Sequence, residues 1–216
     1  MEITWYGHSC FRLTEKGLAT VITDPYDHND VGYEPLKLRG DIVTISHESP
    51  AHNYLVGVNN YSHTLRGPGE FEIGGVFITG IQTNHRNGKE DTLRNTLFVF
   101  EYNGLNIAHL GDLNHIPTQS EVEEMGTVHI ALVPVGDGSS LNAAKAAEVI
   151  SLVEPKIVIP MHYATPGSLL KLDPVTKFLK EMGLSEETEK LPSLKISGTS
   201  GFGEDTRVIM LDYQHT

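Results

Sequence analysis

The loop Ser46-His47-Glu48-Ser49-Pro50-Ala51-His52-Asn53 places two imidazoles directly after the apolar, β-branched run Ile42-Val43-Thr44-Ile45. A strand that ends in such a loop is a common way to present metal ligands, because neutral imidazole nitrogen binds divalent transition metals and the strand holds the rings still. Three further candidate ligands follow, His85, Asp112 and His162, each after its own extended segment or turn. Residues at the same ends of several strands converge in space, so groups far apart in sequence can surround one ion. Such a cluster suits hydrolysis, since a bound ion polarises a carbonyl or phosphoryl oxygen and lowers the pKa of its water toward about 7.

The elements that must position these residues can be read from pattern and punctuation. Strands are expected at residues 3–5, 10–13 and 20–23, the last ending at Asp24-Pro25. Residues 70–73 and 76–81 flank Gly74-Gly75, and residues 96–102 and 105–109 flank Asn103-Gly104, so both pairs read as tight antiparallel hairpins. The second half changes character. A polar helix over 118–125 precedes a strand at 129–133, and an alanine-rich helix over 142–153, with Asn142 as its N-cap, precedes a strand at 156–160. Pro174 is expected at the first position of a last helix that ends near Gly183, and strands at 193–196 and 206–211 close the chain. Meandering strands followed by alternating strands and helices imply two packed sheets with helices outside.

With 216 residues the chain suits one domain, 1–216, able to bury a core without disulfides. Its single cysteine, Cys10, lies in an alternating strand and reads as a buried thiol in a reducing compartment. No apolar stretch approaches the length of a membrane span and the N-terminus shows no export signal, so a cytoplasmic location is expected. A formal net charge of −12 disfavours nucleic acid and anionic lipid as partners, because both need a basic face. A small-molecule substrate remains, and an oligomer is left open. Gly136-Asp137-Gly138-Ser139-Ser140 would border the proposed cleft as a connection into the alanine-rich helix.

Taken together, Trp5-Tyr6-Gly7-His8-Ser9-Cys10-Phe11, Thr23-Asp24-Pro25, the histidine loop, His85, Leu110-Gly111-Asp112 and Ile159-Pro160-Met161-His162-Tyr163 resemble the metallo-β-lactamase superfamily. The chain looks most like the short bacterial members related to the ascorbate-lactone hydrolases. This resemblance implies an α/β (α+β) fold, a four-layer αββα sandwich. It also implies Zn2+ or another divalent transition metal (Mn, Fe or Ni), and hydrolysis of a small ester, lactone or phosphodiester through a metal-bound hydroxide. His47 and His85 would serve one ion, His52 and His162 a second, and Asp112 would bridge them. His8 matches a position where an imidazole contacts substrate, which makes Asp112 and His8 the expected catalytic residues, and Asp24 matches a carboxylate that orients a ligand histidine.

The family's loop reads His-x-His-x-Asp-His, and here Ser49 and Ala51 stand in for the second His and the Asp. A neutral hydroxyl is a poor zinc ligand and a methyl group is none, so the expectation is a degenerate, depleted site with single or partial occupancy. The rival reading is a non-catalytic protein that keeps the fold to bind a ligand or partner.

Overall fold

In the computed structural model, which describes residues 1–84, 94–185, 187–199 and 201–215, two large β-sheets carry the chain. The first has six strands in the order Leu194–Lys195, Glu2–Trp5, Phe11–Thr14, Val21–Thr23, Ile42–Thr44 and His63–Leu65. Side-chain alternation splits its central strands between two faces. Val21 and Ile42 enter the main core, while Ile22, Val43, Ile45 and Cys10 face the other way, under Tyr26, Val31, Tyr33, Leu36, Leu38 and Val58. That outer cover is mostly loop, with one short helix, α1 (His28–Val31).

The second sheet has seven strands. Gly69–Ile73, Val76–Asn84, Arg94–Tyr102 and Leu105–His109 form an antiparallel meander, and Ile130–Pro134, Ile157–Met161 and Arg207–Val208 extend it in parallel. Both expected hairpin turns carry positive φ at their two central residues, as primed turns require. Ile130–Pro134 and Ile157–Met161 are buried at every position, which fits parallel strands covered on both faces and explains their unbroken apolar runs.

Helix α2 (Gln119–Met125) starts at Thr118 with a reciprocal capping box to Glu121, and α3 (Ala143–Val153) starts where the Asn142 side chain accepts the Lys145 N–H. Ala146, Val149 and Ile150 of α3 and Phe178 and Leu179 of α4 (Val175–Glu181) join the main core. The whole is an α/β sandwich, as the sequence implied.

Some boundaries differ for tertiary reasons. Pro174 is the N-cap of α4 and not its first residue. The expected strand at 206–211 splits in two, because Arg207–Val208 pairs with Ile157–Met161 while Met210–Leu211 pairs with Lys190–Leu191 in a separate ribbon. Among the described residues no helix is long and apolar enough to cross a membrane.

Candidate metal centre

Four turns at one end of the two sheets bring the candidate ligands together. His8 lies between the strands Glu2–Trp5 and Phe11–Thr14, and His47 and His52 follow Ile42–Thr44. From the other sheet, Asp112 follows Leu105–His109 and His162 follows Ile157–Met161. His8, Asp24 and His162 hold φ of 50°, 37° and 53°, left-handed values that non-glycine residues avoid unless the surroundings impose them. The imposition is visible: the His8 carbonyl accepts the Trp5 indole N–H at 3.0 Å and the His162 backbone N–H at 3.1 Å, which ties the two turns together.

Two groups of donors have metal-ligand spacing, His8 with His52 and His162, and His47 with His52 and Asp112. Within each group one ligand atom per residue lies within 4.8 Å of the others. His8 Nε2 and His52 Nε2 are 3.1 Å apart, close to the roughly 3.3 Å that two imidazoles about 2.0–2.1 Å from one tetrahedral ion would show. His162 Nε2 is 3.2 Å from Asp112 Oδ1, and His47 Nε2 is 3.8 Å from Asp112 Oδ2.

The hydrogen bonds behind the rings fix which nitrogen carries the proton. Asp24 accepts the Ser46 N–H at 2.7 Å through Oδ1, and through Oδ2 it accepts the Ser46 hydroxyl at 2.5 Å and His52 Nδ1–H at 2.9 Å. Since the Ser46 hydroxyl proton is spent on Asp24, its oxygen accepts His47 Nδ1–H at 3.0 Å. By the same logic Ser140 donates to the Asp137 carbonyl at 3.1 Å and accepts His162 Nδ1–H at 3.2 Å. His47, His52 and His162 therefore all present an Nε2 lone pair inward, the arrangement seen where outer partners orient metal-binding histidines.

Lone pairs that face one another and a carboxylate repel unless a proton or a cation sits between them, and His8 Nε2 lies at hydrogen-bond distance from His52 Nε2. Among the described residues Asp112 Oδ1 is buried with no hydrogen-bond partner, and so is His8 Nδ1. The donor set thus fits a divalent transition metal, for which imidazole and carboxylate are suitable ligands.

The electrostatics agree with neutral rings. Burial, reinforced by the neighbouring imidazoles, drives His8 well below its ordinary pKa, and burial lowers His47 and takes His162 down to about 4. His52 is the exception: burial disfavours its proton, but the bond to Asp24 together with the charges of Asp24 and Asp112 outweighs this and raises it. Burial would push Asp24 and Asp112 upward, yet the His52 bond holds Asp24 at about 2 and the charges of His162 and His52 hold Asp112 below the usual carboxylate range.

The expectation of a depleted, degenerate site with two ligands replaced is corrected by this geometry. Ser49 and Ala51 do stand in the loop and line the cavity, but His8, His52, His162, His47 and Asp112 form an intact His/Asp cluster without them. The reason is three-dimensional: His8 arrives from another turn and adds an imidazole to His52 and His162. His8, expected to touch substrate, lies among the donors. His85 lies outside the described residues.

Glu48 lines the cavity but does not join the donor cluster, its carboxylate held by Asn53 at 2.7 Å and by Arg66. His109 is structural, donating to the Ser9 carbonyl at 2.9 Å and accepting the Gly111 N–H at 3.2 Å. The Gly136–Ser140 connection supplies Gly138 and Ser139 to the cavity wall and Ser140 to His162. Ser46 and Ser140 were not read as site residues, since a serine beside a histidine carries no signal until its partner is known. Above the cluster opens a cavity of about 410 Å³.

Comparison with known proteins gives the same picture. A family model described as a beta-lactamase superfamily domain matches residues 2–162. A solved structure of a candidate Zn-dependent hydrolase of the metallo-β-lactamase superfamily from Thermotoga maritima is 36% identical, covers 97% of each chain and superposes with a TM-score of 0.77. Among curated relatives, a UPF0173 protein of Pyrococcus abyssi is 28% identical over 190 residues, 77% of this chain and 85% of that one. A UPF0173 metal-dependent hydrolase of Methanocaldococcus jannaschii is 28% identical over 204 residues, 83% of this chain and 91% of its own length.

Proposed function

Because the chain belongs to the beta-lactamase superfamily domain family, we propose that it is a metal-dependent hydrolase of a small ester, lactone or phosphodiester. The observation that carries this reading is the convergence of the inward Nε2 atoms of His47, His52 and His162 with the buried Asp112 carboxylate, a donor set that a divalent cation would satisfy. His52 has one free nitrogen and so serves one ion at a time. We assign it, with His8 and His162, to the more tightly held ion, and leave His47 and Asp112 facing the cavity beside it.

A divalent ion held there, zinc being the best match to imidazole-rich donors, would lower the pKa of its water and polarise the oxygen of the scissile bond. The chain's own residues do the positioning. Asp24 and Ser46 hold His47 and His52 in one tautomer, and Ser140 does the same for His162. Asp112, kept ionised, is a weak base, so its part is to orient a water and balance charge. The cavity volume suits a small substrate and falls in the range of about 300–1,000 Å³ typical of such sites. Lactones stay on the panel with simple esters and phosphodiesters.

The test is reconstitution with Zn, Mn, Fe or Ni followed by assays on 4-nitrophenyl acetate, a γ-lactone and bis(4-nitrophenyl) phosphate. Hydrolysis of at least one, abolished by chelator, restored by metal and lost in His52→Ala, is the expected result. Stoichiometric metal with no hydrolysis of any of them would favour the rival, a fold kept for ligand or partner binding.

A further inference from the structure

Resting on that hydrolase reading, we infer that the substrate carries an oxyanion, a carboxylate or a phosphate, outside the bond that is cut. The cavity above the donors is lined by Arg94 on one side and Lys171 on another, both exposed. A third cation stands close by, since Lys145 Nζ donates at 3.3 Å to the carbonyl of Asn114, itself a lining residue. Two carboxylates line the same cavity. Glu48 is neutralised by Arg66, and Asp112 lies among the imidazoles.

Among the described cations outside the cavity, Lys177 pairs with Asp173, Lys190 with Asp212, Lys195 with Glu2 and Arg207 with Glu189, while others such as Lys37 and Lys180 have no carboxylate partner. Arg94 and Lys171 are, among the described residues, the two cations that line this cavity, and neither has a carboxylate partner, in a chain whose acidic side chains outnumber basic ones 28 to 16. In so acidic a chain, unpaired cations at a cleft mouth make a local positive field that draws an anion inward against the overall repulsion. Leu170 and Leu172 flank Lys171 in the wall, so the anion would be carried on a short carbon skeleton.

The metal-loaded protein and its Arg94→Glu/Lys171→Glu variant are compared on two esters with one leaving group, neutral 4-nitrophenyl acetate and anionic mono-4-nitrophenyl glutarate. The parent should favour the anionic ester in kcat/KM by about tenfold, mainly through KM, and lose that preference as salt is raised. In the variant the ratio should invert. A ratio that the double reversal leaves unchanged overturns the inference.

Calorimetric titration of both proteins with glutarate and with inorganic phosphate separates this idea from the hydrolase reading. If neither ester is cut, the hydrolase reading rests on the lactone and phosphodiester assays alone, but the anion site stands where the parent binds either anion saturably and the variant does not. Equal binding by both proteins, or none by the parent, sinks the anion site. The anion that binds names the oxyanion. Arg94→Gln and Lys171→Gln replace the double reversal should its unfolding temperature or metal content depart from the parent's.

Discussion

Asp24 fixes two imidazoles with one carboxylate, directly for His52 and through the Ser46 hydroxyl for His47. Fully buried, it is worth keeping charged only because each of these bonds is made. Asp24→Asn removes that charge and frees the tautomers, so metal affinity should fall about 10–100-fold, as for other outer partners of ligand histidines. Ser46→Ala, which leaves the Asp24–His52 bond in place, should lose less. Calorimetric metal titration measures both; parent-like affinity in Asp24→Asn would mean that packing alone aims the rings. At this scale His47, His52, Asp112 and His162 were legible because each ends a recognisable strand or turn. The membership of His8 in the donor group was not, since it depends on how closely its turn approaches the histidine loop and the His162 turn.

The turns that carry these residues depend on close backbone approach as much as on side chains. A Cβ added to Gly136 would lie 2.1 Å from the His162 carbonyl oxygen, with Tyr163 Cα at 2.7 Å, so the neighbouring turn would have to move. Gly136→Ala should therefore destabilise the protein by about 1–3 kcal/mol, the usual cost of overpacking, and weaken metal binding as His162 shifts. Denaturant unfolding together with metal titration checks this, and a variant as stable as the parent would show that the turn has slack. Hairpins and helix starts were legible at this scale because Gly74-Gly75, Asn103-Gly104 and Asn142 act locally. The split of residues 206–211 was not, because each half takes its register from a distant strand, Ile157–Met161 for one and Lys190–Leu191 for the other. The short edge strand His63–Leu65 was missed for a similar reason: it is half-exposed and polar, and its order comes from pairing with Ile42–Thr44.

Across the whole molecule, His8, His47 and His52 come from one sheet and Asp112 and His162 from the other, so a bound ion links the two layers. Because it binds the folded chain and not the unfolded one, metal at about 100 times its dissociation constant should add about 2.7 kcal/mol of stability. For a chain of this size that amounts to roughly 5–10 °C in unfolding temperature, readable as the difference between scans with and without chelator. An unchanged unfolding temperature would point to weak binding. The layered architecture was legible because the hydrophobic pattern changes from meandering strands to alternating strands and helices. The completeness of the donor set was not, because the histidine loop considered alone has two gaps, and the added imidazole, His8, comes from a different turn of the same sheet. The central claim, that His8, His52 and His162 converge on one ion, is tested most directly by an anomalous-difference map from crystals of the zinc-loaded protein. The account predicts a peak about 2.0–2.1 Å from Nε2 of His8, His52 and His162. A map with no peak among those rings, or with the metal bound only elsewhere on the chain, would contradict it.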